Sequence, residues 1–217
     1  MTDSLDISIL VDNPNSWIHP FVHTLIQGLE ERRHSVHCCQ QHNDVGFGDI
    51  LFMLSCDRIV PAVILQKHTH NIVIHPSNLP QGRGFSPLTW QIIEGKNDIP
   101  ITLFEAVEKV DVGPTYFKEI MRFEGHELND ELKHKQGEKT IELALRFVDA
   151  YPHITPLEQT GQSSWYSRRR QKDSEIDPEK TISEQFNLLR VVDNERYPAF
   201  FVRNGHTYII KIFKKSN

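Results

Sequence analysis

Short apolar runs alternate, through the first half of the chain, with longer segments whose apolar residues recur about every four positions. Asp6 to Val11 (DISILV), Ser35 to Cys39 (SVHCC), Asp49 to Leu54 (DILFML) and Asn71 to Ile74 read as strands. The third is almost wholly apolar, as a strand covered on both faces must be. Between the first two, Trp17, Phe21, Leu25 and Leu29 predict a helix that Asn15 or Ser16 would cap. Ser86 to Glu94 reads as a short helix stopped by Gly95-Lys96-Asn97-Asp98, and Ile101 to Val107 as a further strand. Glu127 to Tyr151 has the period of one long helix, interrupted near Gly137. Such β-α-β alternation predicts an α/β fold, a Rossmann-like, doubly wound parallel sheet with right-handed crossovers.

The pattern changes after Pro152. Pro156 to Ser164 is linker-like, and residues 1–155 are expected to form a core with 156–217 as an extension. Within the extension a short helix spans Thr181 to Leu189. Ala199 to Val202 and Tyr208 to Ile212 flank Asn204-Gly205, which predicts a β-hairpin, since Asn-Gly supplies the positive φ of a tight turn.

Composition narrows the classes. A net charge of −5 gives the whole chain no nucleic-acid footprint. The three cysteines, Cys38, Cys39 and Cys56, are unevenly spaced and suggest neither disulfides nor a metal site; Cys38 and Cys39 read as core thiols. With no signal-peptide pattern and no membrane-length apolar run, a cytoplasmic protein without membrane contact is expected.

One stretch carries candidate chemistry. His75 ends the strand Ile72-Val73-Ile74 and opens a turn, Pro76-Ser77-Asn78-Leu79-Pro80-Gln81-Gly82-Arg83-Gly84. The carboxyl end of such a strand is where open α/β sheets bind ligands. Asp111 follows a later strand, in Val110-Asp111-Val112-Gly113-Pro114, and parallel neighbours would bring it to the same edge. An imidazole beside a carboxylate suits proton transfer.

The string HPSNLPQGRGFSPLTW followed by VDVGPT resembles the folate-dependent formyltransferase family, with Ser77, Leu79, Pro80, Arg83, Gly84, Pro87, Asp111 and Gly113 in register. The resemblance implies transfer of a formyl group from 10-formyltetrahydrofolate to an amine, without a metal. Asp111 and His75 would be base and proton shuttle. Phe52, Met53, Leu54 and Ser55, with Ile59, Val60, Asp111 and Gly113, would border the folate. The family carries an asparagine two residues before the histidine, where this chain has Val73. Valine donates no hydrogen bond, so the oxyanion would need another donor, Asn78 or protonated His75, or activity would be lost.

The tail RRxxDSxID, then LRxxDxxxYPAF, resembles the small sugar-nucleotide N-formyltransferases, in particular those acting on a UDP-linked 4-amino-4,6-dideoxy sugar in the pseudaminic-acid branch. That implies a sugar-nucleotide substrate, held by Arg168, Arg169 and Arg170 at its diphosphate and by Trp90, Tyr166 and Tyr197 at base or sugar; Trp165 is a further candidate for such stacking. It leaves room for a homodimer. The glycinamide ribonucleotide enzymes, and a folate- or nucleotide-binding protein without turnover, are the competing readings.

Overall fold

The structure, a computed structural model, describes residues 4–215. Strands β1 (Asp6–Leu10), β2 (Ser35–Cys39), β3 (Gly48–Met53) and β4 (His68–His75) lie parallel in the order β2-β1-β3-β4. Helices α1 (His19–Glu31) and α2 (Ala62–Leu65) connect them. Alternate residues face opposite ways. Ile7, Ile9, Ile50, Phe52 and Ile72 pack with Leu25 and Leu29 of α1, while Leu10, Leu51, Met53 and Val73 pack with Ile64 and Leu65 of α2. Burying each such aliphatic side chain contributes about 1.5–3 kcal/mol relative to exposure.

The second half of the sheet departs from the expected parallel plan. After the two-residue strand β5 (Arg83–Gly84) and helix α3 (Pro87–Ile93), strand β6 (Asp98–Glu105) runs antiparallel to β4. A further strand, β7 (Thr115–Arg122), runs antiparallel to β6 at the sheet's edge, and the sheet is therefore mixed. The apolar pattern gives little sign of β7, because Lys118, Glu119 and Arg122 interrupt it. Charges on an edge strand discourage pairing with other chains.

Three local expectations are also corrected. Helix α4 (Asn129–Ala150) runs unbroken through Gly137, where a Cβ would lie 2.5 Å from the Phe21 ring. Gly137 therefore marks the crossing of α1 and α4. Helix α1 starts at His19, with Ile18 in the cap position and no side-chain cap; Pro20 fixes its first turn, and Trp17 lies outside it. Cys39 is buried as expected, but Cys38 is exposed, because β2 is an edge strand.

The extension comprises β8 (Trp165–Tyr166), which pairs with β5, helix α5 (Ile182–Leu189), and the hairpin β9 (Ala199–Arg203) and β10 (His206–Ile210). Thr181 and Glu184 form a capping box on α5. Asn204 and Gly205 take φ of 51° and 77°, as the hairpin reading requires. The fully buried Arg190 fastens this part to the core, donating to Asn97 Oδ1 at 2.5 Å and Asn187 Oδ1 at 3.0 Å, with Glu127 3.6 Å away. A buried guanidinium without such partners would cost several kcal/mol. Residues 156–164 are not a free linker, since Leu157 exchanges backbone hydrogen bonds of 2.7 and 2.8 Å with Thr115.

Candidate active site

His75 is placed by the last pair of the β4–β6 ladder and is 7% exposed. Its Nε2 lies 2.9 Å from the carbonyl oxygen of Gly82, so that nitrogen carries a proton and donates it. The same nitrogen is 3.9 Å from Asp111 Oδ2, and the ring meets Phe104 edge to face.

Asp111 arrives differently. It lies in the loop 106–114 that joins β6 to β7 and folds back towards His75, and its φ is 55°. That left-handed backbone costs a non-glycine residue about 1–2 kcal/mol. Its Oδ2 accepts the Gly84 N–H at 2.8 Å. Gly113 has no room for a side chain, because a Cβ there would stand 1.7 Å from the carbonyl oxygen of Glu105. The expected meeting of the two residues holds, although their strands are antiparallel and the loop makes the approach.

Both residues line a cavity of about 510 Å³ at this edge of the sheet. Leu65, Val73, Phe104, Ala106, Val107 and Val110 give it an apolar wall on the α2 side. Across the sheet, α4 turns Asn129, Lys133, Gln136 and Thr140 towards it, and Arg168, Arg169, Arg196 and Tyr197 come from the extension. Burial pushes the Lys133 ammonium down to about 8, against the attraction of Asp193. Its Nζ sits 4.5 Å from the Trp17 ring centre and donates to Gln136 Oε1 at 3.2 Å.

Asp12 holds the loop after β3. Its carboxylate accepts from the Asp57 and Arg58 N–H groups at 2.7 and 3.0 Å, and from the Arg58 side chain at 3.3 Å; His42 Nε2 lies 3.2 Å away. Burial raises its pKa, but these hydrogen bonds outweigh that and leave it below the ordinary value. Cys56 in the same loop is no nucleophile, because burial, helped by Asp12, pushes its thiol up to about 12.

The structure sorts the remaining expected residues. Met53, Leu54, Ser55, Ile59 and Val60 line the cavity, whereas Phe52 is wholly buried against Phe147. Gly113 contributes through its backbone rather than as lining. Asn78 does not enter the site: it is exposed, and its Oδ1 accepts from Lys118 Nζ at 3.3 Å. Trp90 and Tyr166 stack on one another outside the cavity, their polar atoms bonded to the Ser167 carbonyl and to Glu94. Trp165, in β8, is 56% exposed and is likewise not among the lining residues.

Of the three arginines, Arg168 lines the cavity, stacks 4.3 Å from the Phe85 ring and donates to the Asp57 carbonyl. Arg169 also lines it, but donates to the Asp173 carbonyl and Ser174 Oγ. Arg170 is exposed and outside. Lys133 and Gln136 were not anticipated; their signal is a polar stripe, at helical spacing, along a helix that otherwise feeds the core. Among the described residues no group of His, Cys, Asp or Glu has the arrangement of a metal site.

Comparison with known proteins places this geometry. The family model described as "Formyl transferase" matches residues 19–148. The methionyl-tRNA formyltransferase of Rickettsia prowazekii is 30% identical over 125 residues, 57% of this chain and 41% of that protein. The chain thus spans about two fifths of that relative's length. Solved structures with the same fold include a methionyl-tRNA formyltransferase from Clostridium thermocellum, at a TM-score of 0.82 and 19% identity over 98% of this chain and 94% of that one. A 4-N formyltransferase from Francisella tularensis scores 0.75 at 20% identity, over 98% and 99% of the two chains. HypX from Aquifex aeolicus in complex with tetrahydrofolic acid scores 0.76 at 18%, over 97% and 38%. With the family model spanning more than half of its residues, this chain belongs to the formyl transferase family.

Proposed function

We propose that the protein transfers a formyl group from 10-formyltetrahydrofolate to the amine of a nucleotide-linked 4-amino-4,6-dideoxy sugar. The observation that carries this reading is one cavity with a buried His75 beside a part-buried Asp111, an apolar wall on one side and cationic side chains on the other. Its volume suits a drug-sized ligand. The apolar wall beside loop 106–114 suits the flat rings of a folate, and the resident tetrahydrofolate of HypX supports that choice. Lys133, Arg168 and Arg196 suit a diphosphate, and the 4-N formyltransferase neighbour supports an amino-sugar acceptor.

In this reading the amine attacks the formyl carbon, a new C–N bond forms, and the bond from that carbon to the folate nitrogen breaks. Asp111 and His75 move the proton that the amine must lose to the departing nitrogen. Val73 lies on the same face of β4 as His75 and offers no hydrogen bond, and Asn78 is turned away. The charge that develops on the formyl oxygen therefore falls to protonated His75.

The curated relatives favour a second acceptor, methionyl-tRNA. Consumption of 10-formyltetrahydrofolate should be measured against a panel of UDP- and TDP-linked 4-amino sugars, glycinamide ribonucleotide and methionyl-tRNA. Turnover with an amino-sugar nucleotide alone is the expected result. Turnover with methionyl-tRNA or glycinamide ribonucleotide alone would replace this reading, and binding without turnover would make the protein a folate- or nucleotide-binding one.

A further inference from the structure

The segment 155–166 does something its composition does not advertise. Its apolar side chains scarcely contribute to the core: Leu157 is 70% exposed and Trp165 56%. It is held instead by polar contacts, and these go to the turn that follows His75 and to the loop that carries Asp111. Ser164 Oγ accepts the Gly82 N–H at 2.9 Å, and the Ser164 carbonyl accepts the Arg83 N–H at 3.0 Å. Gly82 is the residue whose carbonyl meets His75. Gly84, whose N–H meets Asp111, has a φ of 95° and no space for a Cβ, which would stand 2.3 Å from the Tyr166 carbonyl.

Gln159 is the centre of this arrangement. It is half-buried where most of its neighbours are exposed. Its Nε2 donates to the carbonyls of both Asp111 and Gly113, at 3.0 and 2.8 Å. Its Oε1 accepts from Arg83 Nη2 at 2.7 Å, which fixes the orientation of the amide. Backbone pairing of Leu157 with Thr115 delivers it to the root of the same loop. One amide thus spans the two carbonyls that bracket the tightest part of a loop containing a left-handed aspartate.

We propose that Gln159 is the positioning residue of Asp111, clamping its backbone so that the carboxylate stays on the Gly84 N–H and within reach of His75. The assignment rests on the formyl-transfer reading for its effect on rate, but the geometry it describes does not depend on turnover. It also gives Arg83 a role: the guanidinium orients the clamp and does not face the cavity.

The test uses two variants of the full chain. Gln159→Glu keeps the shape and the acceptor for Arg83 but, once ionised, presents oxygen to two carbonyls and cannot donate. Gln159→Leu removes both functions. Each should lower kcat at least tenfold at neutral pH, while KM for 10-formyltetrahydrofolate stays within about twofold. The Glu variant should regain activity relative to wild type as pH falls and its carboxyl is protonated, because the neutral acid can donate again. The Leu variant should show no such recovery.

Amide hydrogen exchange supplies a readout independent of catalysis. The Gly84 N–H should lose protection in both variants, whereas the Ile9 N–H in β1 should not. Near wild-type kcat in Gln159→Glu, or unchanged Gly84 protection, would overturn the proposal. If wild type turned over no acceptor, the formyl-transfer reading would fall, and the Gly84 exchange result would still decide the clamp.

Discussion

His75 and Asp111 meet across 3.9 Å, yet the chain holds them in opposite ways. His75 is the last residue of an eight-residue strand with pairing partners on both sides, and its position follows from the ladder. Asp111 sits in an irregular loop with a left-handed backbone, backed by a glycine against a carbonyl and by an amide from 48 residues further along the chain. A strand end is a robust mount, because many hydrogen bonds must break before it moves. A loop mount depends on a few contacts, and single substitutions should reach it.

The largest effect expected outside the His75–Asp111 pair itself follows from that difference. Gly113→Ala would force a Cβ into the Glu105 carbonyl, so the loop must shift and carry Asp111 with it. Its kcat should fall about 10²-fold, the scale of losing a positioned proton-transfer group, although residue 113 is not among those lining the cavity. A steady-state assay checks this, and a kcat near wild type would mean that the loop tolerates displacement.

A middle-sized effect belongs to the polar side of the cavity. Lys133 has an ammonium whose ordinary pKa is brought to about 8 by burial, so it is charged below that pH and neutral above it. If it holds a phosphate oxygen, kcat/KM for the sugar nucleotide should fall as pH rises through about 8. Lys133→Met should raise that KM by roughly tenfold, the scale of a hydrogen bond to a charged group, and flatten the pH profile. The same pH dependence in the Met variant would assign the titration elsewhere. The smallest effect is expected for Asn78→Ala. With its amide exposed and engaged by Lys118, its kcat should change less than about twofold. A large loss would restore Asn78 as the oxyanion donor.

Periodicity makes much of this molecule readable. The parallel half of the sheet, α4, α5 and the Asn204-Gly205 hairpin follow from apolar spacing and turn chemistry, which act over a few residues. The antiparallel half is harder to read, because β7 is a half-charged edge strand and direction is set by tertiary pairing. His75 is legible as a strand end, and Asp111 through its motif. Gln159 is not legible, since its partners are backbone carbonyls of a distant loop and its surroundings read as a linker. Aromatic residues show a different limit: Trp90 and Tyr166 read as a ligand platform, and the sequence gives no sign that they stack on each other where the extension joins α3.

The central claim is that the strand-mounted imidazole and the loop-mounted carboxylate work as one proton-transfer unit. A double-mutant cycle on His75→Ala and Asp111→Ala, read in kcat with saturating formyl donor and acceptor, tests it directly. Each single variant should lose about 10²-fold or more, and the double variant should lose little beyond the worse single, as groups acting together do. Losses that multiply in the double variant would show two independent contributions and contradict the account.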